Sequence, residues 1–300
     1  MLNSILQWAQ TMSNSWRISG DIYDNYDRPD PRCPCTGAED YNCALPGFHC
    51  SMINILDKVS HIVDKGIPGA WNDLDALEVG NGGMTDDEYK THFTMWAAVK
   101  SPLIMGNDIR ALGPSAFSIL ANPAILAISQ DTNGGSVVRR WRYYVGDTDA
   151  NGLGQISMWS GSLSGGDYIV ILVNGGNDER IMNATLSDIF IDQGGDQAVQ
   201  AKSTSWDLHD LWANRMDNAT ANMVLNANST VGVQALDKYY YNATAMSYAE
   251  GLAGNNSLLM GTRTGSVAPM GTVLTTVARH GVAAYRMRPA AGGMYKRNEL

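Results

Sequence analysis

The first half of the chain alternates short apolar segments with helical ones, and this alternation limits the possible folds more than any other feature. The three apolar segments that predict strands lie at residues 16–22, 70–77 and 101–108. Between them, apolar residues repeat at helical spacing over residues 52–63, and Gly66 is the expected C-terminal cap of that helix. Strands that alternate with helices predict a parallel sheet with helical crossovers.

The second predicted helix has the clearest start signal in the chain. Thr85 and Glu88 have the spacing of a capping box, and Asp86 and Asp87 add negative charge at the positive end of the helix dipole. Its expected buried face consists of Tyr89, Phe93, Trp96 and Ala97. A third helix is expected at residues 114–121, and a further apolar segment follows at residues 123–128.

The pattern changes near residue 134, where short β-type segments separated by Gly, Asn, Ser and Asp replace the alternation. The expected strands include residues 155–159, 167–174, 232–236, 271–278 and 281–287, with one helical segment at residues 245–252. Such spacing predicts an antiparallel sandwich. We therefore expect an α/β region over residues 1–134, an antiparallel β-domain over 135–289 and a tail over 290–300.

Composition excludes several classes of partner. The 300-residue chain has 44% hydrophobic and 17% charged residues, which is typical of a globular protein. Its formal net charge of −9 disfavours binding to nucleic acid or to an anionic membrane surface. No apolar stretch approaches the length that spans a bilayer, so no membrane-embedded segment is expected.

Cysteines and glycosylation sequons point to a secreted protein. The four cysteines fall within eighteen residues, at Cys33, Cys35, Cys43 and Cys50, and all but the last lie in a predicted loop. They could form two disulfides in three pairings, or one zinc site, but the C-x-C spacing favours disulfides. N-x-S/T sequons, which are acceptors for N-glycosylation, occur at Asn183, Asn218, Asn228, Asn242 and Asn255. The first residues lack the features of a signal peptide, which suggests that the start of the protein is missing.

Candidate functional carboxylates follow the predicted strands. Asp21 comes four residues after Arg17, and Asp73 and Asp75 alternate near the end of the second strand. Side chains at alternate strand positions share a face, and functional residues of parallel barrels lie at the C-terminal ends of strands. Each acid has a structural alternative, such as a turn, a cap or an ion pair. The five histidines are scattered and no metal or phosphate motif is present, so no metal or cofactor is expected. Paired carboxylates favour a carbohydrate-active enzyme.

Several blocks of sequence resemble one known family. These blocks are Ser-Trp-Arg-Ile-Ser-Gly-Asp-Ile at residues 15–22, Trp-Asn-Asp-Leu-Asp at 71–75, Ser-Pro-Leu-Ile-Met-Gly-Asn-Asp at 101–108, Gln-Asp at 130–131 and Asp-Leu-Trp at 210–212. In order and spacing they resemble the α-galactosidases of glycoside hydrolase family 27, over about residues 8–289. The cysteine loop resembles the secreted fungal branch of that family.

The resemblance implies a fold, an activity and a set of site residues. It implies the last three or so β/α units of a (β/α)8 barrel followed by an antiparallel β-domain. It also implies hydrolysis of terminal α-linked galactose with retention of configuration, without a cofactor. By resemblance, Asp21 is the general acid/base, and Arg17 and Asp75 bind the sugar. This replaces the pairing suggested by pattern alone, in which Asp75 would be the catalytic partner of Asp21.

One part of the family's site is missing from the sequence. The nucleophile is expected on an earlier strand, in a Lys-Tyr-Asp motif, and no such motif occurs in these 300 residues. We therefore expect the chain by itself to be inactive. Closely related specificities, for α-N-acetylgalactosaminides or β-L-arabinopyranosides, stay open. The alternatives from other classes are a non-catalytic sugar-binding protein and a degenerate remnant of a glycosidase.

Overall fold

The computed structural model describes residues 8–28, 33, 49–152, 154–226 and 230–290. We call the described residues up to Asp131 the α/β part and those from Val137 onward the β-domain. Residues 8–12 are helical. The remaining helices and strands of the α/β part are β1 (Ser15–Arg17), α1 (Met52–Ser60), β2 (Trp71–Asp73), α2 (Asp86–Ala98), α3 (Pro114–Leu120) and α4 (Pro123–Ser129).

The α/β part contains parallel pairing, as predicted, but its strands are shorter than expected. β1 pairs in parallel with β2 over three residues, with Arg17 opposite Asp73. Two isolated parallel bridges extend this parallel pairing: Ile22 pairs with Cys50, and Leu77 pairs with Met105. The segment at residues 101–108 therefore makes one bridge and is not a full strand. Pro102 has no N–H for a ladder, which helps to explain why pairing there is limited.

The helix predictions agree with the structure except at one cap. Thr85 and Glu88 form the expected capping box of α2, and all four residues of its predicted apolar face are buried. Gly66, however, does not end α1, whose C-cap is His61. A separate 3-10 turn, Val63–Lys65, follows α1, and Gly66 ends that turn with an extended backbone (φ −75°).

The β-domain contains two antiparallel sheets with short helices between the strands. The larger sheet has six strands in the order β3-β4-β5-β10-β7-β8, and the smaller pairs β6 with β9. The strands are β3 (Val138–Tyr144), β4 (Gln155–Ser162), β5 (Tyr168–Asn174), β6 (Arg180–Thr185), β7 (Trp206–Asp210), β8 (Thr262–Val267), β9 (Thr272–Val277) and β10 (Val282–Pro289). The helices are α5 (Leu186–Ile189), α6 (Val199–Lys202), α7 (Asn218–Leu225), α8 (Thr230–Leu236), α9 (Tyr248–Ala253) and α10 (Ser257–Met260).

One predicted strand of the β-domain is wrong. Residues 232–236 belong to helix α8, because a short apolar run has no periodicity long enough to separate a strand from a helix. Sequence reasoning also missed α7, although Asp217 caps it by accepting a hydrogen bond from the Thr220 N–H. The helix expected at residues 245–252 is present as α9.

The largest apolar cluster among the described residues is shared by the two parts. It includes Phe93 and Trp96 from α2 together with Trp159 and Ile171 from the large sheet. Polar contacts reinforce the junction: the Thr91 hydroxyl donates to the His280 carbonyl oxygen at 2.9 Å. Helix α2 is therefore buried between the parallel strands on one side and the β-domain on the other. None of the helices in the described ranges combines the length and apolarity needed to cross a bilayer.

Candidate active site

Arg17, Asp21 and Asp75 meet where β1 and β2 end. The Arg17 Nη2 lies 2.6 Å from the Asp75 Oδ2 and 3.3 Å from the Asp21 Oδ1. The structure thus brings together the three residues that sequence reasoning selected from two separate segments. The pairing of Arg17 with Asp73 places both strand ends side by side. One guanidinium therefore contacts two carboxylates at the edge that the parallel order predicts.

The two acids differ strongly in exposure. The Asp21 side chain is 86% exposed, whereas that of Asp75 is 18% exposed. Asp75 Oδ2 also accepts a hydrogen bond from the Ile22 N–H at 2.8 Å, and its Oδ1 accepts one from the Ala76 N–H at 2.8 Å. Asp75 is thus fixed on three sides. Asp21 is open to solvent and to any ligand above the strand ends.

The backbone at Asp75 is in the left-handed region. Its φ is +79°, which is uncommon for a residue other than glycine and costs conformational energy. Trp96 Nε1 holds this turn by donating to the Asp75 carbonyl oxygen at 2.9 Å, and the Asp73 carboxylate accepts from the Asp75 N–H at 2.8 Å. The expectation that Asp73 and Asp75 share a strand face is wrong, because β2 ends at Asp73 and the chain turns before Asp75.

Asp21 is tied in place through its backbone. The Cys50 N–H donates to the Asp21 carbonyl oxygen at 2.9 Å, and the Tyr23 N–H donates to the Cys50 carbonyl oxygen at 3.2 Å. Cys50 is also bonded to Cys33 in a disulfide with a Cα–Cα distance of 5.4 Å. This disulfide agrees with the prediction that the cysteines form disulfides. Cys35 and Cys43 lie outside the described residues.

More acidic groups surround the site. Burial raises the pKa of Asp24, although its carboxylate accepts hydrogen bonds from the Gly83 N–H and the Tyr89 hydroxyl, which act in the opposite direction. Burial also raises the pKa of Glu78, with smaller contributions from the charges of Asp24 and Asp75 in the same direction. The rim of the site therefore carries hydrogen-bond acceptors, which suit a neutral polyhydroxyl ligand better than an anion.

Sequence reasoning missed the residues that support this site from below. Besides Trp96, these are Ser101, whose hydroxyl accepts from the Leu74 N–H at 3.0 Å, and His92, whose Nε2 accepts from the Glu78 N–H at 3.0 Å. The only sequence signal is that His92 and Trp96 are four residues apart on α2 and therefore lie on the same helix face. Both read equally well as ordinary core residues.

The predicted glycosylation acceptors that lie within the described residues are accessible to solvent. Asn183, Asn218, Asn242 and Asn255 are all exposed. Asn255 also accepts a hydrogen bond from Arg288 through its side-chain oxygen. Asn228 lies outside the described residues.

Comparison with protein families matches both parts of the chain. Residues 45–131 match the family described as alpha galactosidase A, and residues 153–237 match the alpha galactosidase C-terminal beta sandwich domain. The chain is 50% identical over 284 residues to an alpha-galactosidase of Saccharomyces paradoxus, covering 95% of this chain and 59% of that protein. It is 48% identical over 285 residues to alpha-galactosidase 1 of Saccharomyces cerevisiae, again 59% of that protein. The chain thus spans about three fifths of these relatives.

Solved structures give the same result. An alpha-galactosidase of Saccharomyces cerevisiae superposes with a TM-score of 0.89 at 48% identity, covering 95% of this chain and 62% of that one; that enzyme is also known in a structure with raffinose. Alpha-galactosidase I of Mortierella vinacea superposes with a TM-score of 0.69 at 32% identity, covering 97% of this chain and 57% of that one. The fold is accordingly part of a (β/α)8 barrel followed by an antiparallel β-sandwich, and the chain belongs to the α-galactosidases of glycoside hydrolase family 27.

Proposed function

We propose that the complete protein hydrolyses terminal α-linked galactose with retention of configuration, and that this chain contributes the acid/base side of its active site. The observation that carries the proposal is the contact of Arg17 with both Asp21 and Asp75, in a chain half identical to an α-galactosidase. We further propose that the division into residues 1–134 and 135–289 separates the catalytic region from the β-domain, with 290–300 as a tail.

The geometry suits Asp21 to proton transfer. A retaining glycosidase needs one carboxyl group that protonates the departing oxygen and then deprotonates the attacking water. The exposed Asp21 carboxyl can reach both, since its backbone is tied down while its side chain stays open. Arg17 and Asp75 supply a donor and an acceptor for sugar hydroxyls beside it. The nucleophilic carboxylate of this mechanism would come from residues outside the 300.

The relatives support a class of substrate, and features of this chain support a location. The structure of the Saccharomyces cerevisiae enzyme with raffinose supports a galactoside of that kind as the substrate of this protein. The disulfide and the exposed sequon asparagines support secretion as a glycoprotein. Nucleic acid and anionic membrane surfaces are not proposed as partners, because the net charge of −9 disfavours binding to both.

Release of p-nitrophenol from p-nitrophenyl α-galactoside tests the proposal. The 300-residue chain alone should release none, because no nucleophile is available for the first displacement. A fusion that adds the unmatched part of the Saccharomyces paradoxus enzyme should be active. In that fusion, Asp21→Asn should lower kcat by about 10²–10⁴-fold, the usual contribution of a general acid/base.

The matched control is Asp64→Asn, which removes an exposed carboxylate from the same region without touching the site. It should leave kcat within about twofold of that of the fusion, because it lies outside the reacting groups. Hydrolysis by the isolated chain, or an Asp21→Asn fusion with full activity, would contradict the proposal.

A further inference from the structure

Two carboxylates and a histidine converge at the junction between the α/β part and the β-domain. One ligand atom each from Asp27, Asp149 and His280 lies within 4.8 Å of the other two. Asp27 belongs to the α/β part, Asp149 follows β3, and His280 is in the turn between β9 and β10. These positions are more than a hundred residues apart in sequence, so only the fold brings them together.

The histidine ring is oriented so that one nitrogen is left for a ligand. His280 is 2% exposed. Its Nδ1 lies 2.6 Å from the Glu88 Oε1, and the other oxygen of Glu88 is fixed by the Thr85 N–H at 2.7 Å. Among the described residues, nothing hydrogen-bonds to the buried Nε2. The carboxylate at Nδ1 favours a proton there, which leaves a lone pair on Nε2.

That arrangement has the pattern of a supported metal ligand. Metal-binding histidines usually donate their second N–H to a carboxylate, which fixes the ring and its tautomer. The ring of Tyr26 stacks on His280 with centroids 4.4 Å apart, so rotation of the imidazole is restricted. Glu88 therefore holds the position of the outer partner, and His280 that of the ligand.

The two carboxylates lie side by side at this junction. Asp27 is 5% exposed, and Asp149 is half-buried beside it. The amide of Asn151 contacts Asp27 at 3.4 Å but carries no charge. Two carboxylates at a buried junction, facing an imidazole lone pair, are the donor set expected of a cation site.

We propose that Asp27, Asp149 and His280 bind a divalent transition-metal ion, with Zn²⁺ as the best fit, and that the ion links the α/β part to the β-domain. A nitrogen ligand beside two oxygens favours Zn²⁺ over Ca²⁺ or Mg²⁺, which prefer oxygen alone. Tetrahedral Zn²⁺ places its ligands about 2.0–2.2 Å from the ion, so binding would draw the three side chains inward. Water would complete the coordination.

Titration calorimetry on the chelator-treated 300-residue chain tests this site with Zn²⁺ alone as the probe. We expect one Zn²⁺ per chain, a rise in Tm of several degrees, and weak or no binding of Ca²⁺. Asp149→Asn and His280→Gln should each weaken Zn²⁺ binding at least tenfold. Glu88→Gln should weaken it about 10–100-fold, the usual effect of losing the partner of a ligating histidine.

Controls separate a metal site from a purely structural cluster. Asp196→Asn removes an exposed carboxylate of the β-domain and should bind Zn²⁺ like the unmodified chain. Bound Co²⁺ should show tetrahedral visible absorption that Asp149→Asn abolishes while circular dichroism shows an intact fold. If Asp27 and Asp149 instead simply share a proton, Zn²⁺ will neither bind nor shift Tm. That result, or equal binding by Asp149→Asn, would overturn the proposal.

Discussion

At the scale of single residues, the segment that carries Asp75 depends on two buried polar side chains beneath it. His92 accepts a hydrogen bond from the Glu78 N–H, and Trp96 donates to the Asp75 carbonyl oxygen. Their rings meet edge to face with centroids 4.1 Å apart. His92 can accept from the Glu78 N–H only while its Nε2 is unprotonated. The position of the acidic segment is therefore sensitive to the protonation of His92.

This dependence predicts acid lability. Burial lowers the pKa of His92 from 6.5 to about 3, so the folded state binds fewer protons than the unfolded state between these values. The stability that the neutral His92 contributes is thus fully present above about pH 6.5, and it is lost as the pH falls toward 3. From pH 7 to pH 5 the unmodified chain should lose about 2 kcal/mol of unfolding free energy through this group.

Urea unfolding at both pH values measures the loss. His92→Gln keeps an acceptor for the Glu78 N–H but does not titrate. Between pH 7 and pH 5, its unfolding free energy should therefore fall by about 2 kcal/mol less than that of the unmodified chain. The exposed His61 provides the control, and His61→Gln should retain the full pH dependence of the unmodified chain. An equal pH dependence in His92→Gln and the unmodified chain would rule out His92 as the cause.

At the scale of elements, α2 organises both sides of the molecule. It holds Asp75 through Trp96 on one side, and Thr91 reaches His280 on the other. Its first turn is fixed by the capping box, in which the Thr85 hydroxyl accepts from the Glu88 N–H and Glu88 accepts from the Thr85 N–H. A loosened first turn would disturb Glu88 and therefore His280 as well.

Removal of this cap should destabilise the whole molecule. Thr85→Ala should cost about 1 kcal/mol of unfolding free energy, the usual value for a lost N-cap, measured by urea denaturation. Ser247 caps the short helix α9 with an equivalent capping box through Glu250. Ser247→Ala should cost less, because a helix of only six residues can fray without global unfolding. Equal losses in the two variants would contradict the central role assigned to α2.

How far the sequence predicted these elements depends on the range of the interactions involved. The capping box and apolar face of α2 are set within one or two turns, and they were predicted correctly. The convergence of Arg17 and Asp75 followed from parallel order, because strand ends meet at one edge. The pairing of Glu88 with His280 is set by packing across 192 positions, and no local pattern encodes it. The turn at Asp75 was missed because an aspartate there reads like a continuing strand.

At the scale of the whole molecule, buried charges connect the large sheet to the α/β part. Arg286 and Asp167 are both fully buried and lie 2.9 Å apart, and Arg288 contacts the same carboxylate at 2.7 Å. Asp131, at the end of the α/β part, lies 4.0 Å from Arg286 and accepts from the Ser164 hydroxyl at 2.8 Å. The network therefore crosses the junction between the two parts.

Loss of one member should be severe. Asp167→Ala leaves the Arg286 guanidinium buried with its main partner removed, which should cost about 3–5 kcal/mol of unfolding free energy. Fluorescence and circular dichroism should follow the same urea transition, because the two parts share one core. The partly exposed pair of Arg263 with Asp207 is the control, and Asp207→Ala should cost no more than about 1 kcal/mol. Similar losses in the two variants would show that the buried network contributes little.

The hydrogen bonds of Cys50 on either side of Ile22 have a consequence for how the cell makes this protein. Because Cys50 is covalently joined to Cys33 and its backbone also holds that of Asp21, formation of this disulfide restrains the segment that carries the proposed proton donor. A chain matured in a reducing compartment would keep the Asp21 carboxyl but lose part of its anchorage. Disulfide formation during maturation and the proposed proton transfer by Asp21 are thereby linked through a single residue, Cys50.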